Sequence, residues 1–258
     1  MVGATPMFVD IRDDNSYLID PDRVAAALSP RTRAILPVGL FGQMPELERL
    51  AAIAPGIPII EDAAQSFGAT RLGRASGAAS TIGCTSFFPS KPLGCFGDGG
   101  ALFTDDDSLA ATARAIRSHG GAQRHHHTVI GTNVRMDTLQ AAIVLAKLPD
   151  YDAEIALRRS AAARYDRLLA DVVGTPAVLP GNTSVHAQYT VRCGARRDVI
   201  AGRLQQAGIP TAIYYPKPVH HQPAFAGRCR ISGSLAIAEA ACAEVLSLPF
   251  HPWVEEGE

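Results

Sequence analysis

Neither sign of charge is in surplus: 24 Lys and Arg face 25 Asp and Glu, leaving a net −1 over 258 residues. A protein that tracks phosphate backbones needs a basic excess, so nucleic acid is not an expected partner. Paired cysteines are also missing. Cys84, Cys95, Cys193, Cys229 and Cys242 are odd in number and include no C-x-x-C spacing. That argues against a zinc or disulfide framework and suits incidental thiols in a reducing cytosol. No apolar run approaches the roughly 20 residues of a membrane span. The start, MVGATPMFVDIRDD, lacks the basic-then-apolar form of a signal peptide. A cytoplasmic protein without a membrane partner is expected. Gly97, Gly99 and Gly100 form no G-x-G-x-x-G, so a dinucleotide site is not supported. The run His125-His126-His127 cannot easily converge on one ion from an extended segment, where neighbours point to opposite sides, and no metal is expected there.

What the chain does have is apolar material, 47% hydrophobic against 19% charged residues, enough for a core. Strand-like runs at 6–11, 34–38, 57–60, 84–88 and 100–104 alternate with helical patterns at 20–28, 44–54 and 108–118. The 57–60 run stops at Glu61-Asp62, and Asp20 and Pro21 stand as N-cap and first helical residue. Alternation of this kind predicts an α/β fold with a mainly parallel sheet covered on both faces. A long helical stretch follows over 137–169, interrupted at Pro149, then a turn-rich break at 174–181. A compact α+β pattern completes the chain: strand 189–193, helix 197–207, strand 211–215, a Pro-rich segment and a helix at 234–246. The expected division is a large domain over 1–150 and a small domain over 151–258.

Two residue types carry chemistry. Asp62 ends an apolar strand, which puts a carboxylate at the carboxyl edge of a parallel sheet, where α/β proteins bind ligands. Capping the next turn is the plainer use of an aspartate before Ala63-Ala64. Lys91 follows another strand and is flanked by Pro89, Pro92, Leu93, Gly94, Cys95 and Phe96, poor company for a solvated ammonium. A desolvated lysine loses its proton more easily, and the neutral amine is the form that adds to an aldehyde.

Three segments in register, IEDAAQSFGA at 60–69, TSFFPSKPLGCFGDGGALFTDD at 85–106 and GTNVRMDTLQAAI at 131–143, resemble the DegT/DnrJ/StrS-type sugar aminotransferases, a pyridoxal-phosphate (PLP) family of fold type I. The resemblance implies that Lys91 carries the cofactor and shuttles the proton, and that Asp62 pairs with its pyridine nitrogen. It places Gln65 against the ring and gives the Ser86 hydroxyl to the phosphate. Asn133 matches a residue that reaches the phosphate from the partner subunit, which implies a homodimer with shared sites. The implied reaction moves an amino group from L-glutamate to a nucleotide-linked keto sugar.

SFFPSKPLGCFGDGGA and RMDTLQAAIVLAKL especially resemble the subgroup acting on UDP-2-acetamido-3-keto-glucuronic acid. There Arg135 would hold the sugar carboxylate, as a planar guanidinium fork can. The same resemblance implies that Tyr214, Tyr215 and His220 lie near the sugar. The subgroup's usual His-Tyr-Pro is Tyr214-Tyr215-Pro216 here. Relatives also have an upstream helix start that cradles the phosphate and a final helix beyond SLPFHPWVEEGE. The chain is therefore expected to be the greater part of such an enzyme, with a non-catalytic homologue as the alternative.

Overall fold

The computed structural model describes residues 2–121, 123 and 125–255. In chain order the strands are β1 (Met7–Phe8), β2 (Ile60–Asp62), β3 (Thr70–Arg71), β4 (Arg74–Ala75), β5 (Ile82–Ser86), β6 (Gly100–Phe103), β7 (Tyr189–Arg192), β8 (Arg230–Ile231) and β9 (Val245–Leu248). The helices are α1 (Pro21–Ala27), α2 (Leu47–Ile53), α3 (Asp107–Arg117), α4 (Thr138–Lys147), α5 (Tyr151–Leu169), α6 (Arg197–Gln206) and α7 (Ala236–Glu244).

The central sheet runs β2-β5-β6, parallel in its first pair and antiparallel in its second. The 34–38 segment lies parallel on the far side of β2, but only as the bridges Ile35↔Ile59 and Val38↔Asp62. The strand expected there is broken by Pro37. Ile35, Ile60, Asp62 and Gly39 all donate N–H groups across this pair, and the proline has none to give.

Other boundaries move for similar reasons. The third run becomes a strand only at Ile60 and continues through both carboxylates to Asp62. Before it, Pro58 lacks a donor and the Ile59 N–H is taken by Thr81 Oγ1 at 3.1 Å. Helix α2 starts at Leu47 rather than Met44, because Pro45 disfavours helical geometry at the residue before it. The 6–11 run shrinks to β1, which pairs with β8, far along the chain. Asp10 then turns inward, 1% exposed, and accepts from the Ile237 and Ala238 N–H groups at the start of α7. In the C-terminal part only Ala212 of the expected strand 211–215 pairs, with Ser247. Pro210 and Pro216 bracket it without donors. The last helix ends at Glu244, and Val245 and Leu246 join β9 against β7 instead.

The helix ends follow their local chemistry. Asp20 Oδ1 accepts from the Asp22 N–H at 2.9 Å with Pro21 in the first turn, and Asp106 Oδ1 caps α3 through Ser108 and Leu109. A short 3-10 turn at Leu148–Asp150 separates α4 from α5 at the proline. One apolar cluster gathers Leu47, Leu50, Ile59, Phe87, Leu93, Cys95, Val144, Tyr151 and Ile155. A second gathers Ala162, Tyr189, Val191 and Leu246 with Tyr165, Leu169 and Leu204. Helix α5 feeds the first from its N-terminal turns and the second from its C-terminal turns. Among the described residues no helix is long and apolar enough to cross a membrane.

Candidate active site

Side chains on a strand alternate between faces. On β2 and β5 the alternation is visible as burial, half-buried at Ile60, Asp62, Ile82, Cys84 and Ser86 and buried at Glu61, Gly83 and Thr85. The buried face is closed by Glu61, whose carboxylate accepts from Ser76 Oγ at 2.8 Å, the Gly77 N–H at 3.0 Å and Ser80 Oγ at 3.4 Å. Burial pushes its pKa up against those hydrogen bonds. The loop lies so close that a Cβ on Gly83 would meet Gly77 O at 2.0 Å. Thr85 Oγ1 donates to Ala63 O on the same side.

The other face is half open. Asp62 is in register with Cys84, and Ser86 lies two residues further along β5, so the carboxylate, thiol and hydroxyl share one face at the carboxyl edge of a parallel pair. Asp62 also accepts from the Ala64 N–H at 3.0 Å, the local capping role open to it from sequence, although a series of turns and not a helix follows. Cys84 was not singled out by its motif; the alternation within Ile82–Ser86 is the signal that finds it. Burial and the Asp62 charge push its thiol pKa up.

Lys91 is delivered to this edge by a loop pinned at both ends. Phe87, Leu93 and Cys95 are core residues. The Phe87 N–H donates to Gly99 O, the Cys95 N–H to Phe87 O and the Lys91 N–H to Phe88 O, at 2.7–2.9 Å. The fold-back is tight enough that a Cβ on Gly94 would stand 2.8 Å from the Phe88 and Pro89 carbonyls. From outside, α4 clamps the loop through Lys147 Nζ to Gly94 O at 2.6 Å and Gln140 Oε1 to the Phe96 N–H at 2.9 Å. Held there, the Lys91 ammonium is half-buried, with no hydrogen-bond partner among the described residues. Burial lowers its pKa below the ordinary lysine value, and Asp62 is near enough to oppose that shift.

Gln65 is buried between two partners. Its Oε1 accepts from the Phe41 N–H at 2.6 Å and its Nε2 donates to Tyr215 Oη at 3.3 Å. That contact joins expected site residues 150 positions apart. Tyr214, exposed, packs edge-on to Tyr215 at 5.6 Å.

The remaining expected residues stand elsewhere. Asn133 and Arg135 are exposed and bond to each other, Arg135 Nε to Asn133 Oδ1 at 3.1 Å. Their loop is tied to the end of α3 by His119 N–H to Thr132 O and Val134 N–H to Arg117 O. Among the described residues neither bonds to Asp62, Gln65, Ser86 or Lys91. His220 is engaged with Glu239 at 3.0 Å.

An amine with a lowered pKa, a facing carboxylate, a hydroxyl on the same sheet face and a buried amide form the donor set that an aldehyde cofactor with a basic ring nitrogen and a phosphate requires. A family model, the DegT/DnrJ/EryC1/StrS aminotransferase family, matches residues 1–258. The chain belongs to that family. It is 51% identical over 258 residues to the UDP-2-acetamido-2-deoxy-3-oxo-D-glucuronate aminotransferase of Pseudomonas aeruginosa, covering 99% of this chain and 70% of that one. The crystal structure of a DegT DnrJ EryC1 StrS aminotransferase from Brucella abortus superposes with a TM-score of 0.94 at 43% identity, over 99% of this chain and 70% of the other. NtdA of Bacillus subtilis, solved with bound cofactor PMP, superposes with a TM-score of 0.85 at 30% identity, over 96% of this chain and 58% of its own. The α/β fold is that of the type I aminotransferases, and the family is PLP-dependent.

Proposed function

We propose that this family member transfers an amino group from L-glutamate to a nucleotide-linked 3-keto sugar bearing a carboxylate, of the UDP-2-acetamido-3-keto-glucuronic acid kind. The observation that carries the chemistry is the half-buried Lys91 amine beside Asp62, its pKa lowered by burial against the opposing pull of that carboxylate. The substrate class rests on the 51% identity to the enzyme named for that uronate. PLP fits the donor set, and when bound it supplies a positive ring that accepts the electron pair released at the amino-acid α-carbon.

Lys91 would hold the cofactor through its amine and would carry a proton to and from the reacting carbon. Asp62 keeps the ring nitrogen protonated, which is why a carboxylate at the sheet edge suits the task. Ser86 offers a hydroxyl to the phosphate. Gln65, fixed by the Phe41 N–H and Tyr215, lies against the ring. Asn133 and Arg135 act on the site of a second copy in a homodimer, Asn133 on the phosphate and Arg135 on the sugar carboxylate. Their exposure, and their separation from Lys91 in the bonding pattern, support that assignment. Tyr214 and Tyr215 line the sugar side. The large and small domains divide near residue 150, with α5 running from one core to the other, and the enzyme works in the cytoplasm.

Adding PLP to the purified protein is expected to give a visible absorption band that bleaches with L-glutamate. Borohydride reduction and peptide mapping are expected to place the label on Lys91. A label on another lysine, or folded protein with no band, rejects the reading and favours a homologue that keeps the fold without catalysis. Turnover of a neutral 4-keto-6-deoxy sugar as fast as the 3-keto uronate rejects the substrate class alone.

A further inference from the structure

A few residues beyond Tyr215, three side chains with metal-ligand chemistry meet. His220 and His221 belong to one 3-10 turn, Val219–His221, and Glu239 to α7. Both imidazole Nε2 atoms face the same carboxylate oxygen, Glu239 Oε1, at 3.0 Å from His220 and 3.4 Å from His221. The ligand atoms of the three residues lie within 4.8 Å of one another.

Adjacent residues diverge in an extended segment, which is an obstacle to bringing neighbouring histidines onto one ion. The 3-10 turn removes that obstacle. It is closed by His221 N–H to Pro218 O and Gln222 N–H to Val219 O, both 3.0 Å, and its two rings end 4.2 Å apart on the α7 side. A histidine–glutamate hydrogen bond needs one ring, and a second ring turned to the same oxygen is the arrangement of a three-donor site. The His220 side chain is 5% exposed, packed with Phe8 at 6.3 Å, whereas His221 and Glu239 are about half exposed. One donor is thus fixed by packing and the other two open the site to solvent. Glu239 is itself well placed, because the first turn of α7 is held from below by Asp10.

We propose that His220, His221 and Glu239 bind a divalent cation of the zinc class through two nitrogens and one oxygen, with water completing the shell. Imidazole and carboxylate without thiolate suit zinc, cobalt and nickel, while magnesium and calcium demand oxygen-rich shells. Donors about 2.1 Å from a tetrahedral ion stand about 3.4 Å from each other, close to the 3.0 and 3.4 Å that separate the two imidazoles from Glu239. The ion would cross-link the turn that follows Tyr214 and Tyr215 to α7. Neither the site nor its test depends on which reaction the chain catalyses.

Tag-free protein, stripped with chelator and titrated with zinc against a chromophoric competitor, is expected to bind one equivalent per chain. His221→Ala and Glu239→Gln, both at exposed positions, are each expected to weaken binding by about tenfold or more. The triple alanine variant at His125, His126 and His127 is expected to retain it. Cobalt in place of zinc is expected to show visible d–d bands without thiolate charge transfer, a readout on the unaltered protein that stands whether or not a variant folds. No stoichiometric binding, equal competition by magnesium, a thiolate band, or unchanged affinity in His221→Ala with loss in the 125–127 variant would each overturn the proposal.

Discussion

Two loops of this chain, one bearing Lys91 and the other Asn133 and Arg135, are built in opposite ways. The 87–99 loop is sewn down: its flanks are core residues, its backbone bonds to itself and to Gly99, and α4 grips it with Lys147 and Gln140. Among the described residues the loop bearing Asn133 and Arg135 is hydrogen-bonded through its backbone to the end of α3 and the turn after it, and those two side chains bond to one another in the open. A group that makes and breaks bonds must be held to within fractions of an ångström. Residues that complete a neighbour's site need to project instead. On the proposed reading, the difference separates a site that one chain assembles from contacts offered to a second copy.

The sharpest test of the assembled half is Lys91→Ala. If this amine is both attachment point and proton carrier, transamination falls on the order of 10^3-fold or more, measured as keto-acid release in single turnovers. A loss of only a few fold would move the chemistry off this loop. The open half is tested by mixing. Co-expressed Lys91→Ala and Asn133→Ala chains are expected to regain activity in the hybrid dimer, where one site has all its residues intact. Failure to complement in a verified hybrid breaks the division between the loops.

Next in size is Arg135→Ala. Losing a charge-assisted pair to a substrate carboxylate costs about 1.5–3 kcal/mol, or roughly 10–100-fold in kcat/KM. The loss is expected with the 3-keto uronate and not with a neutral keto sugar. Equal losses on both substrates would reduce Arg135 to a structural partner of Asn133.

A smaller effect is expected in pH dependence. Burial lowers the Lys91 pKa and the Asp62 carboxylate raises it. Capture of PLP needs the neutral amine, so its rate rises with pH through the Lys91 pKa, at a pH below that of a free lysine. Asp62→Asn removes the opposing charge, which lets burial act alone and moves the profile to still lower pH. A profile that stays in place, or moves upward, would mean that the two groups are not coupled in the way their shared edge suggests.

The contrast between the loops also marks how far the sequence could be read. The placement of Lys91 and Asp62 at one edge was legible because each stands at the carboxyl end of a strand or beyond it, and strand ends in a parallel sheet gather at one edge whatever the exact boundaries. Several boundaries shifted at prolines, where Pro37 and Pro58 withheld a donor and Pro45 disfavoured helix before it, since apolar pattern reports burial and not backbone geometry. The three-residue shift of β2 mattered most: it put Glu61 and Asp62 inside the strand, one on each face, and so gave adjacent carboxylates opposite jobs. Cys84 was legible in principle from the same alternation. Asp10 at the start of α7 and Glu239 beside His220 and His221 were not, because both depend on contacts between segments far apart in the chain, which no local pattern encodes.

The Gln65–Tyr215 contact lies between these extremes. Both residues were expected near the site, yet nothing in either segment indicated that they bond. The hydroxyl of Tyr215 accepts from the Gln65 amide, whose other end is fixed by the Phe41 N–H. Tyr215→Phe removes that acceptor and leaves the ring. One neutral hydrogen bond at a partly exposed position is worth about 1 kcal/mol, so roughly a fivefold fall in kcat/KM is expected. If the hydroxyl acts through Gln65, Gln65→Ala already contains the loss, and adding Tyr215→Phe to it changes little. If the tyrosine touches the sugar directly, the two effects multiply, and the double variant falls by the product of the single ones. The cycle therefore distinguishes a residue that positions another from one that meets the substrate itself.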